Sequence, residues 1–508
     1  MKTHYSFLKN CIYFICATIL PLLLWNKLQG VDNLYMYAHG KDMLTYGLIR
    51  NTDIFSMHDD FDFMYQKWSF CILTYEIISQ FGWNGLTWAT YMLMFALFVT
   101  LFFFGVRHNK VHLLFNVILI MAGAYIMEAN GTLRFRPHVI AGIIMIAIIH
   151  ILEEHAHDLH IKHVCLLIGL SIILMAFHST MWIMYVICFL PYVFNINTSF
   201  EVIKKRDYSI LPVGVTCILM FFAGVINPNG IKQFGYMFTC LTATGKSYAH
   251  IDELQPIPLA AYMPVLVFGL MSLSVIVFTV LKVKTKLYLP AIYMIIGSLI
   301  MPLLSWRLVF YTVIFIIIGT ILQTKQCEDS SLGLDTYILP LVSCSLAFLI
   351  LFTGIFVHVI RYSDTSDIAF AHGTKDIELE YALNMINDIS GEGTTIMTTT
   401  GHVGSYAIYL GLKPYMDCRA EVYDININHK KDILSEIQDL SSNIYQDMAL
   451  DEGGILLFDK EYQPDYYVLT IYSDADMNIK KALDKYGFEL IYGVDDNTTV
   501  FVYKQTGT

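Results

Sequence analysis

The stretch Leu86-Thr87-Trp88-Ala89-Thr90-Tyr91-Met92-Leu93-Met94-Phe95-Ala96-Leu97-Phe98-Val99-Thr100-Leu101-Phe102-Phe103-Phe104-Gly105-Val106 contains no charged side chain, and Arg107 ends it. A run of this length matches the roughly 20 apolar residues that an α-helix needs to cross a bilayer. Similar runs recur through the first 360 residues. Hydropathy predicts about eleven spans, at roughly 11–29, 86–106, 111–128, 138–153, 164–177, 180–194, 209–226, 264–281, 287–304, 307–323 and 336–358. Composition agrees: 56% of the 508 residues are hydrophobic and 15% are charged, against about a quarter charged in soluble domains. The expected fold is an α-helical polytopic membrane protein. A cytosolic enzyme, a nucleic-acid binder and a disordered scaffold are excluded. Lys2 and Lys9 before the first run would suit a signal peptide. The run is long and no A-x-A site follows it, so an anchor is expected.

Charge divides the chain. Residues 361–508 hold 25 Asp and Glu against 11 Lys and Arg, while the first 360 hold 18 against 21. The tail therefore reads as an acidic soluble domain, and nucleic acid is disfavoured as its partner. Lys and Arg concentrate in the loops expected inside, including Lys204-Lys205-Arg206 and Lys282, Lys284 and Lys286. The N-terminus is thus expected in the cytoplasm and residues 361–508 outside. Two loops on the outer side, 30–85 and 227–263, are too long to be connectors, which places function on that face. The first holds seven carboxylates.

The tail alternates helix and strand. Helices are expected over 375–389, 401–411, 429–440 and 478–486. Strands are expected over 394–400, 413–418, 466–471, 489–494 and 498–503, the last two joined as a hairpin through Asp495-Asp496-Asn497. The sum is one small α/β domain with no nucleotide-binding motif. Of the ten cysteines only Cys418 lies in the tail, and no CxxC pair exists. An internal tail disulfide and a zinc ribbon are both unsupported.

Candidate chemistry gathers in the outer segments. Asp32 follows the first span directly, where a carboxylate can serve as general base toward a lipid-linked head group; a solvated loop acid is the plainer reading. Asp53, in Asp53-Ile54-Phe55-Ser56, is similar, or caps a turn. Arg134 and Arg136 lie at the outer end of a span, and Arg307 begins another. Paired guanidiniums suit a phosphate, and snorkelling to lipid head groups is the alternative. His178 lies between two short spans, and Glu253 lies in the second long loop. Asp417-Cys418-Arg419-Ala420-Glu421 leaves a strand with charges at alternate positions, which suits a structural ion cluster or a substrate-facing group. Glu153-Glu154-His155-Ala156-His157-Asp158-Leu159-His160-Ile161-Lys162-His163 is rich in metal-ligating side chains. It is expected in an inner loop without repeated histidine boxes, so a solvated loop is expected there and no metal is assigned.

In order, these features resemble a pattern found in many bacterial multi-span proteins. Asp32, Gly40-Lys41, Gly47, Asp53-Ile54-Phe55-Ser56 and Trp68 match an acid after span one, then a glycine, a D-P-F-S-like stretch and a tryptophan segment. Arg136-Pro137-His138 resembles R-P-Q/H. Asn227-Pro228-Asn229-Gly230 resembles N-P-x-G. Gly401-His402-Val403-Gly404-Ser405-Tyr406 with Asp417-Cys418-Arg419-Ala420-Glu421 resembles G-G-Y…D-x-R-A-E. The chain thus resembles the C-type (GT-C) membrane glycosyltransferases, with Ile54 where the usual residue is proline. The resemblance implies a multi-helix core, a polyprenyl-phosphate sugar as donor, Asp32 as base with Asp53 in support, and Arg136 and Arg307 on the donor phosphate.

The expected function is transfer of a sugar from that carrier to a glycan or lipid acceptor outside the bacterial cell membrane, in which the protein is embedded among lipids. No cofactor is implied, and a divalent metal is left open. Two rivals are a transporter or flippase of lipid-linked glycans and a non-catalytic assembly protein. Transporters place ionisable groups at mid-membrane and carry internal repeats; here the acids lie in the outer loops.

Overall fold

The computed structural model describes residues 31–47, 50–58, 60–109, 113–193, 211–242, 255–281, 287–325, 374–493 and 498–504, together with Ile15 and Ile19. The expected spans 11–29 and 336–358 lie outside the described residues. So do Glu253 and the turn 495–497. Eight of the other nine expected spans each overlap one helix, while 180–194 is divided between the end of Ile161–Trp182 and the helix Met184–Val193.

In chain order the helices before the tail are α1 Asp32–Tyr46, α2 Trp68–His108, α3 Leu113–Ala129, α4 Pro137–His155, α5 Ile161–Trp182 and α6 Met184–Val193, then α7 Leu211–Ala223, α8 Lys232–Thr242, α9 Leu259–Leu281, α10 Leu289–Leu304 and α11 Val309–Lys325. Among the described residues, five stretches are long and apolar enough to cross a membrane: Trp68–His108, Pro137–His155, Ile161–Trp182, Leu259–Leu281 and Trp306–Lys325. Shorter apolar helices accompany them. The protein is a multi-pass membrane protein.

The described residues fall into two compact units. One lies within Met1–Asn26, Thr87–Asn227 and Asp252–Ser366, the other within Lys27–Leu86, Pro228–Ile251 and Asp367–Thr508. The first long loop, and the second from Pro228 to Ile251, therefore cluster with the tail. Neither is only a loop, because α1 occupies the first and α8 the second.

In the helical unit α11 is buried on every side from Val309 to Thr324, as an all-round apolar helix should be when neighbours surround it. Interhelical hydrogen bonds fix it. The Thr312 hydroxyl donates to the Ser298 carbonyl at 2.9 Å, and Asn109 Nδ2 donates to Thr324 Oγ1 at 2.8 Å. Such bonds matter where the surrounding lipid offers no hydrophobic drive between helices. The helix α5 runs through the turn expected between two short spans, with a kink at His178 (φ −157°, ψ 78°).

In the second unit the tail contributes α12 Thr374–Ser390, β1 Thr395–Met397, α13 Gly401–Tyr409, β2 Lys413–Pro414, α14 Ile425–Asn428, α15 Ile433–Ser441, β3 Ile444–Tyr445, β4 Met448–Ala449, α16 Gly454–Tyr462, β5 Tyr466–Thr470, α17 Asp474–Tyr486, β6 Glu489–Tyr492 and β7 Val500–Lys504. Five strands form one sheet in the order β2-β1-β5-β7-β6. The pairs β1–β2 and β1–β5 are parallel, while β5–β7 and β6–β7 are antiparallel. Leu379, Ala382, Leu383 and Ile386 recur at helical spacing on α12 and pack with Ile396, Val468 and Val502. All five residues of β5 are buried, which marks it as a central strand covered on both faces.

The first loop joins this unit by its ends. At Gly82 the backbone takes φ 64°, ψ −167° inside α2, a conformation that only glycine adopts without strain. The turn lets the segment from Trp68 pack in the second unit before the chain enters its apolar run. Further along, the Met57 amide donates to the Pro414 carbonyl at 3.1 Å, at the end of β2.

Candidate active site

Strand β2 is short because the chain turns at Asp417. The Asp417 carboxylate accepts the Arg419 amide at 2.7 Å, an Asx-type turn, and the Ser405 hydroxyl accepts the Cys418 amide at 3.2 Å. A 3-10 turn, Ala420–Tyr423, follows. The close approach of α13 to this turn needs Gly404, because a Cβ there would collide with the Met416 carbonyl.

Arg419 is fully buried. Its Nε and Nη2 donate to the two oxygens of Asp417 at 2.9 and 2.6 Å, and its Nη1 donates to Asp53 Oδ1 at 2.5 Å. Phe55 and Phe63 flank the guanidinium at 5.6 and 5.3 Å. Tyr423 donates its hydroxyl to Asp417. Asp53 also accepts the Ser56 amide at 3.1 Å and hydroxyl at 2.5 Å. Burial by itself would raise the Asp53 pKa, but the Arg419 charge and these donors outweigh it and hold the carboxyl below its ordinary range. Two carboxylates thus share one guanidinium.

His39, on α1, lies 3.3 Å from Arg419 Nη1 through its Nε2. Burial, then Arg419 and Lys67, push its pKa well down, so the ring is neutral and Nε2 accepts. His58 Nε2 lies 2.7 Å from the Tyr415 carbonyl, and burial lowers its pKa to about 4. The loop and the tail are joined by the Asp53–Arg419 pair and by His58 on the Tyr415 carbonyl. Asp53, expected to support the base, is held here by Arg419 and Ser56.

A second cluster lies beside this junction. Asp32 opens α1 in its first turn, half-buried, where a helix N-terminus favours an acid. One turn on, the buried Tyr35 hydroxyl accepts from Lys67 Nζ at 2.9 Å. Burial, then Asp32, then Glu421 raise the Tyr35 pKa well above its ordinary value. Glu421 also acts on Tyr236 and Cys240 of α8, and Gln66 Nε2 donates to Cys240 Sγ at 3.2 Å. Glu421 itself forms no hydrogen bond or ion pair among the described residues. Two carboxylates, a tyrosine and a lysine therefore converge, and the arrangement can accept a proton from a hydroxyl and orient it. Tyr35, Lys67 and Tyr236 carried no signal in the sequence beyond their residue types. Among the described residues no set of three metal-ligating side chains forms around Asp32.

The expected phosphate ligands lie in the helical unit. Arg136 precedes Pro137 at the start of α4 in an extended conformation (φ −141°, ψ 149°). Trp306 Nε1 donates to Asn130 Oδ1 at 2.8 Å, which ties the segment carrying Arg307 to the turn carrying Arg134 and Arg136. Those two are half-buried, and Arg307 is exposed. His178 is set apart at its kink, with Nδ1 3.1 Å from the Thr180 hydroxyl. Of the tail cluster, Asp417 and Arg419 pair with each other, while Glu421 faces the Asp32 cluster. An apolar cavity of about 150 Å³ lies between α6, α10 and α11, lined by Ile187, Tyr293, Met301 and Phe315 among others.

No family model matches the sequence, and no curated protein matches it. Solved structures do. The Archaeoglobus fulgidus oligosaccharyltransferase, crystallised tethered to an acceptor peptide containing the NVT sequon, aligns with a TM-score of 0.55 at 11% identity, over 98% of this chain and 74% of its own. ArnT from Cupriavidus metallidurans, in the apo state, aligns with a TM-score of 0.55 at 11% identity, over 99% of this chain and 98% of its own. Over nearly its whole length this chain is folded like the C-type membrane glycosyltransferases.

Proposed function

We propose that the chain is a membrane glycosyltransferase that moves a sugar from a polyprenyl-phosphate carrier to an acceptor hydroxyl on the extracytoplasmic side. Asp32 takes the acceptor proton as that oxygen attacks the sugar carbon. The bond from that carbon to the phosphate breaks with inversion, and polyprenyl phosphate leaves. Arg134, Arg136 and Arg307 are assigned to the phosphate, where guanidiniums offset the charge that develops on departure. His178 and Glu253 are assigned to substrate binding in supporting positions. Lys67 and Tyr35 orient Asp32, Glu421 receives the acceptor, and Asp53, Asp417 and Arg419 hold the frame. The apolar helices carry the lipid tail of the carrier.

One observation carries this reading. An acid at a helix start, beside a lysine-held tyrosine and a second carboxylate, occurs on a chain folded like enzymes of this class. A transporter would need its ionisable groups within the spans instead. The test uses the full chain in membrane vesicles supplied with polyprenyl-phosphate sugars, with release of polyprenyl phosphate as readout. Asp32→Asn should lower turnover by about 10²–10⁴-fold while the protein remains folded, and Glu76→Gln should leave it unchanged. Equal turnover in Asp32→Asn and the parent would defeat the assignment.

A further inference from the structure

At the far end of α4 from Arg136, three side chains meet that no sequence motif joins. His150 and Glu154 are one helical turn apart on α4 and share a face. His108, the last residue of α2, is brought against them. One ligand atom from each of the three lies within 4.8 Å of the others. His108 Nε2 lies 2.9 Å from His150 Nδ1, and Phe104 packs on the His108 ring at 4.4 Å. The remaining nitrogen of His108, Nδ1, is buried with no hydrogen-bond partner among the described residues. It lies 3.6 Å from Glu154 Oε1. That gap is too long for a hydrogen bond. It is close to the roughly 3.4 Å that separates nitrogen and oxygen donors sharing one tetrahedral zinc ion.

We propose that His108, His150 and Glu154 form a binding site for a zinc-like divalent transition metal that ties the end of α2 to the end of α4. The loop histidines singled out in the sequence are not its ligands; His108, more distant in the chain, completes it. Arg107 Nη2 donates to the other Glu154 oxygen at 2.8 Å, an outer partner that turns Oε1 toward His108. Arg107 and Lys325 both place positive charge near the His108 and His150 rings. The site therefore holds its ion by nitrogen ligation rather than by surplus negative charge. Magnesium and calcium, which need several oxygen donors, are excluded, and an imidazole-rich set selects zinc, cobalt or nickel.

The test takes the full chain purified in detergent, stripped with a chelator and titrated with cobalt(II), with ligand-field absorption and bound metal per chain as readouts. The parent should bind about one ion per chain, displaced by zinc and not by magnesium. His108→Ala with His150→Ala should abolish the absorption, and His157→Ala with His160→Ala should leave it intact. Should the first pair of changes prevent folding, Glu154→Gln, read by weakened cobalt affinity at an unchanged elution volume, replaces it. A folded parent that takes up no cobalt overturns the proposal, as does absorption that survives loss of both His108 and His150.

Discussion

Arg419 and Asp53 are 366 positions apart in the chain and 2.5 Å apart in the fold. Neither is exposed to water. Removing a partner from such a pair leaves a buried charge uncompensated, which is far costlier than the net worth of the pair. Arg419→Met would strand two carboxylates and should cost about 3–5 kcal/mol, read as a fall in the thermal midpoint of the purified protein. Asp53→Asn keeps an acceptor for Ser56 and should cost less. The double variant should be more stable than the sum of the two changes predicts.

Acid should loosen the same region. In the folded chain His58 titrates at about 4, against 6.5 ordinarily. Between those values the unfolded chain binds more protons, so stability is fully present above pH 6.5 and is lost as pH falls toward 4. The loss is at most about 3 kcal/mol from this ring. Asp53, held below its ordinary range, adds stability that disappears at still lower pH, in the same direction. Melting curves at pH 7 and pH 5 should therefore differ, and His58→Asn should shrink the difference. His39, also held neutral by burial, keeps the remainder.

Close approach should be as sensitive as charge. Gly404→Ala drives a methyl group into the Met416 backbone, and backbone cannot swing aside as a side chain can. The expected cost is at least about 1–3 kcal/mol, with faster proteolysis of the tail. Gly169→Ala, on α5, meets nothing within 4 Å and should be neutral or slightly stabilising.

The cluster around Asp32 separates two proposed roles. Lys67→Met removes the donor to the Tyr35 hydroxyl and should lower kcat with little effect on KM. Glu421→Gln should raise KM for the acceptor. Steady-state kinetics on the vesicle assay reads both, and a reversed pattern would exchange the two assignments.

Sidedness is open to direct measurement. A single cysteine introduced at Tyr472, which is exposed on the tail, should react with a membrane-impermeant thiol reagent added to intact cells. Labelling only after the membrane is broken would place the acidic domain on the cytoplasmic side and end the proposed reaction.

Much of the fold was legible because bilayer-length apolar runs carry their own signal. Pro137 marks the start of α4, and the run behind it fixes the rest. The edges of the tail sheet were legible as well: β6 and β7 pair antiparallel, as their hairpin pattern predicts. The helix α1 was not. It buries Asn33, His39 and Asp42 among Leu34, Met36 and Met43, so polar positions interrupt the apolar stripe that would mark a helix. The helix α16 opens at Gly453, with φ 121°, and its Gly-Gly start reads as a turn. The expected strand 413–418 stops at Pro414, because Asp417 bonds the Arg419 amide instead of continuing the ladder. At the site, the alternating charges of Asp417, Arg419 and Glu421 were visible, but not that Asp417 and Arg419 face Asp53 while Glu421 faces Asp32. Local pattern cannot show a contact that only the completed chain makes.

That last contact sets a schedule. A ribosome adding roughly 5–20 residues per second delivers Arg419 roughly 20–70 s after Asp53 has emerged. Throughout that interval Asp42 has Arg50 from its own loop, but Asp53 waits without the guanidinium it is buried against. Biogenesis, more than the finished protein, is where this design is most exposed to interception by proteases and where an assisting chaperone would have the most to protect.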